Sequence, residues 1–285
     1  MEKSPKVTEF LIKAFRLLSR LVLFVLILFL LVALSIQIPF VQTRITKALT
    51  EFITKNSQFQ TRICKVRIRW WDAVSLNDVV VRDHHDSLMV DLREVYIDFS
   101  IRSLLNTQNP SIDQIKLEEG NVRLLFHADE SYINLAEFIA RINDLFPSAP
   151  RDPNKKPSKF SIENIHLDKT SLDIINYGAI PITEGFDFNN LKFRDLIADA
   201  DGFYVQGPEI GVKVNYMRGE ELTSGLVFQQ LKTVFTYTPT FMEFDDLFLR
   251  SNQTEVKNYL RFSYDSVGAL SYFNSRVTIL ARLEE

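Results

Sequence analysis

The chain has 285 residues, 46% hydrophobic and 24% charged, with a formal net charge of −3. That balance excludes wholesale disorder and lacks the concentrated basic face that nucleic acid requires. A single cysteine, Cys64, excludes an internal disulfide, and 23 Phe against 9 Gly leave much bulky apolar surface to be placed.

Residues 1–20 carry Lys3, Lys6, Lys13, Arg16 and Arg20 against Glu2 and Glu9, and residues 21–43 carry no charge. The apolar run 21–38, with Leu21, Phe24, Leu28, Leu31 and Leu34, is about 27 Å long as a helix, close to the hydrocarbon thickness of a bilayer. The expectation is a basic cytoplasmic tail over 1–20 and a transmembrane signal anchor over 21–38. Lys13, Arg16 and Arg20 set its orientation under the positive-inside rule, which sends everything after Pro39 across the membrane. A cleaved signal peptide competes with this reading. Against it stand the length of the run and the weakness of the small-x-small site Ala33-Leu34-Ser35.

Pro39 suits a first helical turn, and Val41, Ile45, Ala48, Leu49, Phe52 and Ile53 then recur at helical spacing, predicting an amphipathic helix over 39–58. That helix either caps a sheet or lies near the membrane surface.

Over 59–285 the period changes to two. Val95, Ile97, Phe99 and Ile101 fall on one face of "VYIDFSI", and Ile210, Val212, Val214 and Tyr216 on one face of "IGVKVNY". Leu260, Phe262 and Tyr264 repeat the pattern, as do Val277, Ile279, Ala281 and Leu283. One-sided alternation is the mark of a sheet with one face on apolar material and the other in water. "NLAEFIARINDLF" predicts one inserted helix, with Asn134 and Glu137 spaced as a capping box. Four prolines make 147–159 a loop.

One phrase recurs: "LNDVVV" at Leu76, "IDQIKL" at Ile112, "IENIHL" at Ile162, "FNNLKF" at Phe188 and "FDDLFL" at Phe244. Composition alone supplies fewer than about one such match, so the recurrence has a physical cause. The polar pair is expected to bond the local backbone and start a new strand. The irregular interval points to an elongating sheet that adds strands in one direction.

Conventional chemistry is sparse. "RDHHD", Arg82 to Asp86, holds the one cluster of metal-competent side chains; adjacent histidines on a strand point to opposite faces, so the run reads as an exposed hairpin turn and no metal is expected. His127 and His166 stand isolated. No GxSxG, HExxH or phosphate-cradling loop occurs. Cys64 reads as a packed thiol. Trp70-Trp71 fits a membrane-interface pair or a core and rim pair equally well.

The order of anchor, "IPFVQTRITKALTEFI", "KVRIRWWDAVSLNDVVVRD", "SIDQIKLEEGNVRLLF" and "SYINLAEFIARI" resembles the N-terminal part of the AsmA-like superfamily, most closely its TamB family. The unit I-x-x-I-x-L-x-x-G-x-V-x-L matches Ile112, Ile115, Leu117, Gly120, Val122 and Leu124. It matches again without the Gly at Ile162, Ile165, Leu167, Leu172 and Ile174. The resemblance implies a mainly β fold, an elongated twisted antiparallel β-groove, open or half-open, in the periplasm of a double-membraned bacterium. It also implies a single-pass inner-membrane protein with no catalytic role, tied to phospholipid transport and outer-membrane assembly. Its implied partners are phospholipid acyl chains and a barrel of the BamA or TamA type, engaged through a further C-terminal part. Candidate groove residues are Val95, Ile97, Phe99, Ile101, Val122, Leu124, Ile210, Val212, Val214 and Phe262. No cofactor is expected beyond bound phospholipid. A scaffold that assists outer-membrane protein insertion without carrying lipid is the competing function, and a sheet closed on its own helices the competing structure.

Overall fold

The computed structural model describes residues 5–69, 72–104, 106, 109–128, 130, 133–144, 159–179, 187, 189–252, 254–265 and 276–282. Trp70-Trp71 and nearly all of the proline-rich segment lie outside them. Helix α1 (Pro5–Ile36) precedes α2 (Pro39–Ser57), and strands follow: β1 (Gln60–Arg69), β2 (Ala73–Arg82), β3 (Leu88–Asp98), β4 (Ser111–Phe126), β5 (Lys159–Asn176), β6 (Asn190–Gln206), β7 (Glu209–Glu221), β8 (Leu226–Thr238), β9 (Phe241–Ser251), β10 (Glu255–Tyr264) and β11 (Val277–Arg282). The short α3 (Ile101–Leu104) lies between β3 and β4, and α4 (Asn134–Asp144) between β4 and β5.

All eleven strands form one open sheet in chain order, so each new strand adds to the edge left by the last. Every pairing is antiparallel except β4 with β5, which run parallel from Ser111↔Ser161 to Phe126↔Asn176. The expectation of a uniformly antiparallel groove is corrected there. A parallel neighbour needs a crossover, and the segment holding α4 supplies it.

Among the described residues no helix is long and apolar enough to cross a membrane. The described anchor side chains all stand exposed, Leu21 by 57%, Phe24 by 63%, Leu28 by 50%, Leu31 by 59% and Leu34 by 56%. Arg20 is exposed too, while the side chains of Lys13 and Arg16 lie outside the description.

α2 starts at Pro39 after an extended Ile38 and ends at the left-handed Gln58. Its hydroxyls close the free edge of β1. Thr46 Oγ1 accepts the Val66 N–H at 3.1 Å, Thr54 Oγ1 accepts the Thr61 N–H at 3.1 Å, and Ser57 Oγ accepts the Phe59 N–H at 3.1 Å. An edge strand's open donors invite pairing with another chain, and here side chains occupy two of those of β1, at Thr61 and Val66. The core lies on the first four strands: Phe59, Ile63, Val66, Val79, Val81, Met89, Leu92 and Val95 are buried, with Leu135 and Phe138 of α4 packed against them.

Candidate functional site

A strand alternates with period two, so residues i and i+3 face the same way only where one extra residue breaks the ladder. The recurring phrase has its first two apolar residues at that spacing. In β2, Leu76 and Val79 both pack with the core, and Asp78 between them has φ 51°. In β9 the middle of "FDDLFL" is Asp246, with φ 47°. The polar pairs at Leu76 and Phe244 therefore sit inside strands and do not start them, which corrects the reading of these phrases as strand starters.

The same frame occurs in strands where the sequence pattern is partly hidden. Glu119 (φ 47°) separates Leu117 from Gly120 and Val122, Lys169 (φ 47°) separates Leu167 from Thr170 and Leu172, and Asp195 (φ 51°) separates Phe193 from Leu196 and Ala198. These breaks align across the sheet. Pairing steps over Cys64 opposite Asp78, over Arg93 opposite both Asp78 and Glu119, and over Glu119 beside Lys169. A bulge bends its strand and raises its twist, so a row of them is a crease running along the sheet. Gly120 is obligatory in it, because a β-carbon there stands 2.1 Å from the Asp91 carbonyl oxygen. A second crease crosses the other ends of β4, β5 and β6. There Ile112 pairs Ile162 and Ile115 pairs Ile165, while Ala200 and Phe203 flank Gly202 at φ 60°. It accounts for "IDQIKL" and "IENIHL"; Phe188 of the remaining phrase lies outside the described residues.

The creases keep the apolar residues of successive strands on one face. Register carries that face from Val212 through Phe235 and Phe244 to Leu260. Phe235 and Phe244 are 5.0 Å apart between ring centroids, Phe244 and Phe262 6.1 Å, and Phe193 and Phe228 6.0 Å. This is where part of the phenylalanine surplus goes. Among the described residues no helix packs on this face beyond β5, and Val212, Phe235, Phe244 and Phe262 are only half-buried. The other face is polar: a depression of about 280 Å³ on it is lined by Lys116, Asn164, His166 and Asp199, with His166 Nδ1 2.6 Å from Asp199 Oδ1.

The predicted groove residues divide between the two halves. Val95 is in the closed core, with Ile97 and Val122 against it. Leu124 is half-buried in β4. Phe99 lies just past β3, its N–H on the Asp72 carbonyl at 2.7 Å, and Ile101 opens α3 with its side chain outside the description. Ile210, Val212 and Val214 of β7 and Phe262 of β10 are on the uncovered face.

Three expectations change. Cys64 is exposed at the crease and not packed. Asn134 does not form a capping box: its Oδ1 accepts the Leu125 N–H at 3.1 Å in β4, and Glu137 turns instead to Arg141 and His84. His127 is not isolated, for its Nε2 lies 2.9 Å from Asp83 Oδ2 in the β2–β3 turn. Burial opposes the charge of Asp83, yet bonds from His127, the Ser87 backbone and Asn134 hold its carboxyl below the usual range. A separation of 44 residues hides that contact from any local pattern. At the β7–β8 turn, Glu221 is 1% exposed. Burial works against its charge, while donors from Ser224, Lys192 and Thr223 bring its pKa down to about 2.

No family model and no curated protein matches the chain.

Proposed function

We propose that the chain is a non-catalytic, membrane-anchored carrier of phospholipid acyl chains, which lie along the uncovered face of β6–β10. The observation that carries this reading is the unequal covering of one apolar face. α4 packs on it near β4, and beyond β5 no helix among the described residues lies over its half-buried Phe and Val side chains. Burying hydrocarbon there gains about 0.8 kcal/mol per CH₂, so a long acyl chain supplies ample affinity. The charge-free run 21–43 behind a basic tail supports a single-pass inner-membrane anchor with the sheet in the periplasm. The resemblance to the TamB family supports phospholipid transport toward the outer membrane, working with a BamA- or TamA-type barrel.

The test places a charge on the face. Val212→Glu and Phe262→Glu, each half-exposed, are expected to keep the circular-dichroism spectrum and melting curve of the wild type while losing co-purified phospholipid. Unchanged lipid content in both folded variants contradicts the reading.

A second reading rests on β11, whose Ile279 and Leu280 are 53% and 50% exposed at the strand edge opposite α2. Such an edge can pair with an extended partner chain, as a scaffold for outer-membrane proteins requires. Partner capture that survives Val212→Glu and is lost when β11 is blocked by proline favours it.

A further inference from the structure

The turn between β2 and β3 projects two adjacent histidines toward the segment that leads into α4. His84 Nε2 is 2.6 Å and His85 Nε2 3.1 Å from the same atom, Glu130 Oε1. Ligand atoms of His84, His85 and Glu130 all lie within 4.8 Å of one another. Adjacent histidines on a strand point to opposite faces; here a turn lets them converge. Asp83 Oδ1 fixes that turn by accepting the backbone N–H groups of His85 at 3.0 Å and Ser87 at 2.9 Å.

The hydrogen-bond count around His84 does not balance with a neutral ring. Its Nδ1 stands 2.7 Å from Glu137 Oε2, and its Nε2 faces Glu130, so two carboxylates each demand a positive partner. His84 Nδ1, Glu130 Oε2 and Glu137 Oε2 are all buried without a hydrogen bond of good geometry. Asp83, Glu130 and Glu137 bring three negative charges, of which Arg141 on Glu137 at 2.5 Å answers one. A dication on Nε2 resolves the imbalance: it leaves His84 as the Nδ1–H tautomer, and that proton goes to Glu137.

We propose that His84, His85 and Glu130 form a divalent-metal site of the zinc class, with Glu137 orienting His84 from behind. Two imidazoles and a carboxylate are a three-ligand set that leaves a fourth position for water or another group. Tetrahedral Zn²⁺ wants ligand atoms about 3.3 Å apart, so the Glu130 carboxylate moves outward by less than about 1 Å from its 2.6 Å contact. The metal ties the β2–β3 turn to the lead-in of α4 and so fastens the helix that covers the closed core. The site is independent of the acyl-chain reading, and either can fail alone.

The test uses the full chain in detergent, purified without a polyhistidine tag and stripped with EDTA. Zn²⁺ is titrated by calorimetry and Co²⁺ by visible absorption. One Zn²⁺ per chain is expected, with tetrahedral Co²⁺ bands and a higher melting temperature on loading. His85→Ala, at a side chain 47% exposed, leaves the fold intact and weakens binding at least about 100-fold. Glu137→Gln weakens it about 10–100-fold. His166→Ala, on the opposite face, changes nothing. No stoichiometric binding, or equal binding by the wild type and a folded His85→Ala, overturns the site. A stripped chain whose melting temperature is insensitive to Zn²⁺ overturns it equally.

Discussion

At β1 the sheet ends against α2, whose threonines take up two of the strand's backbone N–H groups, while α4 lies on the apolar face; at β11 the described residues offer neither. The same alternation runs through both regions, yet Phe59, Met89 and Leu125 are at most 1% exposed and Phe235 and Phe244 are half-buried. Alternation therefore specifies a one-faced sheet without specifying what covers it. Covering depends on helices, and both amphipathic helices gather at the first strands. The closed end fixes where the sheet begins. At the other end no helix among the described residues covers the apolar face.

The largest expected contrast is between two phenylalanines. Phe59 is fully buried, with the Phe138 ring centroid 5.2 Å away, and Phe59→Ala should cost about 3–5 kcal/mol. Phe235→Ala, on the uncovered face, should cost about 1 kcal/mol. Urea unfolding of the two variants measures both, and equal losses break the contrast between the regions. Next comes the edge closure. Thr46→Val keeps the shape and orphans the buried Val66 N–H, at about 1–3 kcal/mol, with faster hydrogen exchange at that amide.

The crease gives a smaller effect. Asp246→Ala and Asp246→Gly both lose the 2.7 Å contact with Lys232, but only alanine bears β-carbon strain at φ 47°. The glycine variant should be the more stable by about 1 kcal/mol. A further effect is confined to acid. Glu221 has its pKa lowered from 4.5 to about 2, so its stabilisation is complete above pH 4.5 and is lost as the pH falls toward 2. Melting curves of the wild type and Glu221→Gln should converge over that window.

The strands with clean alternation, the Pro39 helix and the helix around Phe138 were legible because each depends on local period. The creases were visible as a phrase but misread. An i, i+3 apolar pair looks like punctuation until the left-handed Asp78 and Asp246 show that the strand continues through it. The third frame residue is apolar at Leu196 but Gly at 120 and Thr at 170, so hydrophobicity alone loses the repeat. The parallel β4–β5 pair and the His127–Asp83 contact depend on how a long crossover returns, which no local pattern encodes. The split of the groove residues had the same cause: Val95 and Val212 are alike in sequence, and only the position of α4 separates them.

The most direct test replaces Phe235 and, separately, Phe138 with benzoylphenylalanine in the full chain and irradiates both in membranes. Intact mass spectrometry should find phospholipid adducts at position 235 and only internal cross-links at 138. Phospholipid adducts at neither position, or at both alike, contradict the division of one apolar face into a covered end and a lipid-bearing one.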